Sequence, residues 1–397
     1  MTKYIALAVI CGVLFSAAAG AAEWHEKIKV GGDIRCRGEV IDRESDAEAP
    51  VIALVSDGRD ARARIRARLR VTGEAGERWK IGLGLVTGSG DPVSTDETLT
   101  GGFSKKGFAL DLAYVDFHPK QVKGLNVIAG KMNLPFETAD KTQMVWDNDL
   151  TPEGAALKCR RAAGEKAELF ASAAGFYLTD ADPDNEQWMS GGQAGFVLKP
   201  SGETVLTAGA GYYDYHRIEG YAGVFSAEKF YGNSSMKTGT KVVTVKAGNT
   251  VVGRDTVDVL GYAADFNELE LFGTFDVKVN DRVSLRLTGD YVNNGGADSL
   301  NTAYLVGGSL AYGKDAGSMR LSANYRKIEA DAVLGVFAYS DPWGGGTNGK
   351  GYELGFSYGL AKGTSFDITY FIDTKGVTDG DAGTDYNRFQ ADFQVKF

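Results

Sequence analysis

The last thirteen residues of the chain alternate between polar and apolar positions. From Tyr386 onward, one parity carries Arg388, Gln390, Asp392, Gln394 and Lys396, and the other carries Phe389, Ala391, Phe393, Val395 and Phe397. Successive side chains of a β-strand point to opposite faces, so this segment predicts a strand with one polar and one apolar face. A tilted strand of about 10 residues is long enough to cross a bilayer. A soluble all-β domain is the alternative that the period alone leaves open.

The same alternation recurs along the chain and predicts sixteen strands. Connections after the even-numbered strands are short, and those after the odd-numbered strands are longer and more polar. Regular alternation of turns and loops is typical of a transmembrane, antiparallel, up-and-down β-barrel. Within the longest connection, 216–267, residues 242–252 are predicted to pair locally. The predicted strands are 27–40, 61–73, 79–87, 108–117, 125–132, 154–162, 166–178, 188–199, 203–215, 268–279, 282–293, 302–313, 318–328, 351–360, 364–373 and 385–397.

The N-terminal segment predicts export. Residues 1–22 contain Lys3, an apolar run over 4–15 and small residues at 19–22, which is the pattern of a cleaved signal peptide. We therefore expect residues 23–397 to form the barrel domain. Beyond the leader no run approaches 18 apolar residues, so no transmembrane helix is predicted.

Composition narrows the possible partners. The 397 residues carry a formal charge of −9, which argues against a nucleic-acid-binding protein because such proteins are usually basic. Cys36 and Cys159 both fall on the apolar parity of their predicted strands. We expect them to be small lipid-facing residues rather than partners in a disulfide.

Basic residues are concentrated on the polar parity of three predicted strands. Charged side chains on the lipid face would each cost about 2 to 4 kcal/mol near the membrane midplane, so we expect them to line the interior. A barrel of sixteen strands is wide enough to enclose water. The predicted basic lining consists of Arg35, Arg37, Arg62, Arg64, Arg66, Arg68, Arg70, Lys158 and Arg160.

The third long connection, 133–153, is the predicted constriction. It combines carboxylates with large apolar groups, among them Phe136 and Trp146. Folding inward would bury these apolar groups and place the carboxylates in the water path opposite the arginines. Lys158 and Arg160 are further candidates for pairing with these acids. The predicted acidic residues are Glu137, Asp140, Asp147, Asp149 and Glu153.

Several short stretches resemble one family. Gly130-Lys131-Met132 with Pro135, the run 146–154 (WDNDLTPEG) and the run 191–196 (GGQAGF) resemble the putative porins of Gram-negative bacteria. The terminal strand, ending on Phe397, is similar to the C-terminal signature of bacterial outer-membrane barrels. The resemblance implies a homotrimeric general diffusion channel with an inward third loop, embedded in outer-membrane lipid and lipopolysaccharide. It identifies no substrate-binding residues.

The interpretation of function is a water-filled channel for passive diffusion of small hydrophilic solutes and ions. A receptor or adhesin-like barrel that binds a partner through 216–267 is one alternative, and a substrate-specific channel is another. Few interior positions carry aromatic residues in the predicted strands, which favours the general channel. Ion selectivity is expected to be weak, with anions marginally preferred if the arginines dominate.

Enzymatic and metal chemistry find little support. The three histidines, His25, His118 and His216, lie before the first strand, at a turn and beside a long loop, and no catalytic arrangement is predicted. Residues 180–186 carry alternating carboxylates but lack the glycine and terminal glutamate of a calcium loop, so they predict a solvated loop. No cofactor or metal is expected.

Overall fold

The computed structural model describes residues 27–43, 58–88, 90–140, 142–179, 186–247, 250–377 and 383–397. The predicted leader and most of the acidic segment 180–186 lie outside these residues. The strands are β1 Ile28–Arg43, β2 Arg59–Ala75, β3 Trp79–Thr87, β4 Glu97–Thr98, β5 Phe108–Phe117, β6 Leu125–Lys131, β7 Glu153–Ala162, β8 Ala167–Thr179, β9 Gln187–Ser201, β10 Thr204–His216, β11 Ser235–Ala247, β12 Thr250–Tyr262, β13 Asn267–Lys278, β14 Val283–Asn294, β15 Thr302–Tyr312, β16 Met319–Ile328, β17 Gly349–Ala361, β18 Thr364–Lys375 and β19 Thr384–Lys396. Two short 3₁₀ turns, Gly335–Phe337 and Pro342–Gly344, precede β17.

Sixteen of these strands form a closed antiparallel barrel. Each pairs with its neighbour along the chain, and β1 pairs with both β2 and β19. At the closing seam Asp33 lies opposite Lys396 and Arg43 opposite Tyr386. The two-residue β4 adds to the edge of β2, and β11 and β12 form a separate hairpin. The predicted sixteen-strand barrel is therefore confirmed, as is the local pairing around 242–252.

One face of the barrel strands is apolar and exposed, and the other is polar and largely buried. On β1, Val30 and Ile34 are exposed whereas Asp33 and Arg37 are buried. Cys36 and Cys159, on the apolar parity, are free thiols. The exposed face is the outer surface and the polar face is the inner one, because a closed sheet leaves only these two sides.

Short and long connections alternate around the barrel as predicted. Turns such as 163–166 and 362–363 contain glycines with positive φ, Gly164 at 83° and Gly363 at 74°, a conformation that costs glycine little. The long connections include 88–107, 132–152, 217–266 and 329–348. Among the described residues, no helix has the length and apolar character needed to span a membrane.

The apolar core lies between the long connections and the inner faces of the strands. It includes Trp146, Ile218 and Val333 from three connections, together with Tyr213 of β10. This distribution differs from a soluble sandwich, where the core lies between two sheets.

Candidate functional site

Arginines and carboxylates pair along the inner faces of β1 and β2. Asp33 lies opposite Arg68, so its carboxylate accepts hydrogen bonds from Arg68 Nε at 2.5 Å and Arg66 Nη2 at 2.7 Å. Arg70, two residues further along, donates to Asp111 of β5 at 2.9 Å. The period of two places these arginines in a column, and neighbouring strands supply the carboxylates that neutralise part of its charge.

Asp96, in the connection 88–107, joins this arginine column. Its Oδ2 lies 2.5 Å from Arg35 Nη2, 3.7 Å from Arg37 Nη1 and 3.8 Å from Arg64 Nη1. Burial alone would raise the pKa of Asp96, but the three guanidinium groups outweigh it and hold the pKa below its usual range. Asp96 is therefore a fixed negative charge among the arginines.

A second network crosses the seam where the barrel closes. Glu39 of β1 accepts hydrogen bonds from Arg388 Nε at 2.7 Å and from Arg62. Asp341, in the connection 329–348, lies 2.9 Å from Arg388 and 3.4 Å from Arg37. Burial raises the pKa of Asp341, yet the nearby guanidinium groups bring it well below its usual range.

Three of the predicted acids in the third long connection contact basic residues on the inner faces of different strands. Asp149 Oδ1 lies 3.3 Å from Arg68. Among the described residues, this is the one ion pair between the predicted acids and the predicted arginines of β1 and β2. Asp140 pairs with Arg286 of β14 at 2.5 Å and with Arg320 of β16 at 2.7 Å.

Glu137 pairs with the predicted basic residues of β7. Its Oε1 lies 2.8 Å from Arg160 Nη2 and 3.8 Å from Lys158 Nζ. The connection is thus linked to the wall by ion pairs in three separate directions.

Among the described residues, neither Asp147 nor Glu153 forms an ion pair with an arginine of the inner wall. Glu153 starts β7 on its outer face and pairs with Lys131 at 2.9 Å, so its carboxylate does not lie inside the barrel as predicted. Asp147 is buried and accepts hydrogen bonds from the backbone N–H groups of Asp149 and Ser340. Burial, together with the charges of Asp149 and Asp341, raises the pKa of Asp147 well above its usual range.

The connection 329–348 also packs against the third connection, which the sequence patterns did not predict. Residues 330–338 are all buried. The backbone N–H of Asp147 donates to Phe337 O at 2.8 Å, and that of Tyr339 donates to Gln143 O at 3.2 Å. The Arg326 guanidinium also lies over the Tyr339 ring, with its Cζ 4.8 Å from the ring centroid.

A cavity of about 410 Å³ lies between these two connections and the inner face of the barrel. Its charged lining is balanced, because six basic side chains face six acidic ones. Arg62, Arg64, Arg70, Lys158 and Arg160 are not among its lining residues. The charged residues that line it are Arg35, Arg37, Arg66, Arg68, Arg320, Lys396, Asp96, Asp140, Asp147, Asp149, Asp341 and Glu353.

Another sector of the interior is filled by aromatic side chains. Tyr213 and Tyr215 of β10 are fully buried, and Trp146 lies 5.0 Å from the Tyr213 ring and 6.3 Å from that of Phe337. Inner aromatic residues also occur on β8 and β13, where the rings of Phe170 and Phe272 lie 6.4 Å apart. The cluster could not be predicted from sequence, because its aromatic residues are far apart along the chain and come together only where the connections pack on them.

His118 and His216 each lie near one carboxylate. His118 lies 3.4 Å from Asp116, and His216 lies 3.5 Å from Asp214 and stacks on Trp188 at 3.6 Å. In the described part of the chain, no group of three or more His, Cys, Asp or Glu residues is arranged to hold a metal ion.

Sequence reasoning missed several charged residues of this site. Arg286, Arg320 and Arg388 lie on the polar parity of predicted strands, so strand phase was a signal that could have identified them. Asp96 and Asp341 lie in irregular connections, where no period indicates the direction of a side chain.

The sequence profile of a family described as "putative porin" matches residues 41–397. No curated protein sequence matches the chain. Among solved structures, OprB of Pseudomonas putida has a TM-score of 0.55 at 11% identity, covering 94% of this chain and 95% of its own. The outer membrane channel DcaP of Acinetobacter baumannii has a TM-score of 0.49 at 14% identity, covering 93% and 97%. A mutant porin of Rhodopseudomonas blastica has a TM-score of 0.46 at 12% identity, covering 93% and 100%.

Proposed function

Because the chain belongs to the "putative porin" family, we propose that it forms a water-filled channel in the outer membrane for passive diffusion of ions and small hydrophilic solutes. The observation that carries this proposal is the charged cavity of about 410 Å³ between the arginine column and the opposite wall. An interior lined by paired charges stays hydrated, whereas an apolar constriction would expel water.

The outer surface supports insertion into a bilayer. Its strands expose apolar side chains, with aromatic residues towards both ends. At the end of the long connections Tyr325 lies 6.1 Å from Tyr304 and 5.0 Å from Tyr352, and at the other end Trp79 lies 4.7 Å from Phe117. Aromatic girdles of this kind mark the two membrane interfaces.

In this proposal, residues 133–152 fold into the barrel and narrow it. The ion pairs from Asp140 to β14 and β16, and from Asp149 to β2, span different parts of the wall. A hydrogen bond from Ser172 Oγ of β8 to Pro135 O, 2.9 Å long, adds a further anchor. A segment tied to the inner face in these directions crosses the path of a permeating solute.

Weak ion selectivity follows from the balanced lining of the cavity. Six basic and six acidic side chains leave little net charge, and the protonated form of Asp147 would give anions a small advantage. Selectivity depends on charges at the narrowest section rather than on the net charge of the chain.

Single-channel recording in a planar bilayer tests the proposal. Purified, folded protein is expected to give stable conductance steps in the nanosiemens range, with a small reversal potential under a salt gradient. Liposome swelling with sugars of increasing size would then measure the size limit. Absence of both conductance and swelling, with folding verified by circular dichroism, would overturn the channel and favour a receptor barrel.

Export and assembly complete the proposal. We expect cleavage of residues 1–22, which mass spectrometry of the mature protein from the outer membrane would detect. We also propose a homotrimer, because the family resemblance implies one and outer residues such as Ala61 and Ala63 of β2 allow close packing. Native mass spectrometry in detergent checks the assembly, and a monomer would contradict it.

A further inference from the structure

We propose that the constriction is built from two connections, with residues 147–149 and 339–341 as its facing sides, and that Asp147 is the positioning residue that clamps them together. The inference rests on the proposed channel function and names the residues that set its size limit. Asn148, Asp149, Ser340 and Asp341 all line the cavity of about 410 Å³, so both connections border the same space.

Three hydrogen bonds join the two connections, and Asp147 makes two of them. Asp147 N donates to Phe337 O at 2.8 Å, and Asp147 Oδ2 accepts from Ser340 N at 3.1 Å. Tyr339 N donates to Gln143 O at 3.2 Å. The Asp147 side chain therefore holds the turn at Ser340, and its other oxygen holds the N–H of Asp149 at 2.8 Å. One carboxyl group thus fixes both edges of the cavity.

The connection 329–348 has its own anchors on the barrel wall. Asp341 bonds to Arg37 and Arg388 at the seam. Trp343 is buried, and its backbone N–H donates to Asp373 of β18 at 2.8 Å. A Cβ at Gly349 would lie only 2.2 Å from the Trp343 ring, so this position requires glycine for the indole to pack there.

The third connection is anchored elsewhere, on β14 and β16. Thr142 Oγ1 donates to Asp290 Oδ2 at 2.5 Å, and Asp140 pairs with Arg286 and Arg320. Because each connection has an independent hold on the wall, loss of the Asp147 side chain should leave both in the barrel. The distance between their facing edges should then vary, which widens the largest opening.

Asp147→Ala and a matched control, Glu153→Gln, test the clamp by single-channel recording with polyethylene glycols of graded size. Glu153 directly follows the same connection but lies on the outer face, where it pairs with Lys131 at 2.9 Å. Asp147→Ala is expected to raise conductance by about 1.5- to 2-fold, admit larger polymers and add open-channel noise. Glu153→Gln is expected to leave both the conductance and the polymer limit as in the wild type. An unchanged polymer limit in Asp147→Ala would overturn the clamp.

A labelling experiment tests the second side without relying on Asp147. In a background carrying Cys36→Ala and Cys159→Ala, Ser340→Cys should react with a thiol-reactive trimethylammonium reagent and lose current by at least about one third. Gln193→Cys, which replaces a buried residue of the filled sector, should not react. If the wild-type protein forms channels but Ser340→Cys does not react, the two-sided constriction is overturned and the proposed channel function is not. Silent wild-type protein would instead overturn the proposed channel function.

Discussion

Arg388 Nε of the last barrel strand donates a 2.7 Å hydrogen bond to Glu39 Oε2 of the first. Both side chains are almost completely buried, at 3% and 0% exposure. Gln390 and Arg62 also donate to the Glu39 carboxylate. A buried charge pair with its remaining lone pairs satisfied can exist inside a barrel, but removal of one member leaves the other without compensation.

Glu39→Ala is therefore expected to destabilise the closing seam. Loss of one partner of a buried ion pair costs about 3 to 5 kcal/mol when the other charge is left unpaired. Arg388 keeps Asp341 as a second partner, so the lower end of this range is expected here. The free energy of unfolding in urea, followed by tryptophan fluorescence in detergent micelles, measures the effect. Glu153→Ala, which removes an exposed carboxylate on the outer face, should change stability by less than about 1 kcal/mol. Equal stabilities of the two variants would contradict the role of the seam.

Arg68→Ser is expected to move the reversal potential towards cation preference. The Arg68 side chain lines the cavity and pairs with both Asp33 and Asp149. After its loss, Arg66 still pairs with Asp33, and the two carboxylates have one positive charge fewer beside them. The measurement is the zero-current potential under a tenfold salt gradient. Arg161→Ser is the matched control, because Arg161 is exposed on β7 outside the cavity. If both variants shift the potential alike, the effect is a general surface charge.

Asp140→Asn should have the opposite effect. Its carboxylate neutralises Arg286 and Arg320, so the change leaves two guanidinium groups with one fewer negative partner at the edge of the cavity. Under the same salt gradient the reversal potential should move towards anions. Glu153→Gln removes a carboxylate near the other end of the same connection, but on the outer face, and should leave the potential as in the wild type.

The barrel could be predicted from sequence because it depends on a period of two that each strand carries by itself. Parity also placed Arg35, Arg66 and Arg68 together, since alternate residues of a strand share a face. The partners of these arginines could not be predicted in the same way. Asp96 and Asp341 come from irregular segments whose path is set by tertiary packing.

The second connection at the constriction shows why the rest of the site escaped prediction. Residues 330–338 are mostly small and apolar. This composition is compatible both with a segment inside the barrel and with an exposed loop, so it does not distinguish between them. Their burial depends on the inner face of β10 and on Trp146, which are distant in sequence. The fully buried side chains of Val333 and Trp343 become informative only when the barrel is closed around them.

Channel conductance should rise as the pH increases, because ionisation of the buried Asp147 carboxyl group places a negative charge beside Asp149 and Asp341 and so destabilises the clamped arrangement. Its pKa is raised by burial and by the neighbouring charges of Asp149 and Asp341, so the folded protein binds a proton that the unfolded chain releases near the usual value of 3.8. The clamped state is thus most stable below that value and loses stability as the pH rises through the raised pKa. The pKa values of Asp96 and Asp341 are lowered, so these two carboxylates stay negatively charged as the pH rises.

Single-channel recordings between pH 5 and pH 8 at constant ionic strength check this dependence. Wild type and Glu153→Gln are both expected to show more noise and higher conductance at the alkaline end. Asp147→Asn cannot ionise at this position and should show a clearly weaker dependence on pH. A flat wild-type profile, or an Asp147→Asn profile that rises as steeply as that of the wild type, would place the titrating group elsewhere in the channel.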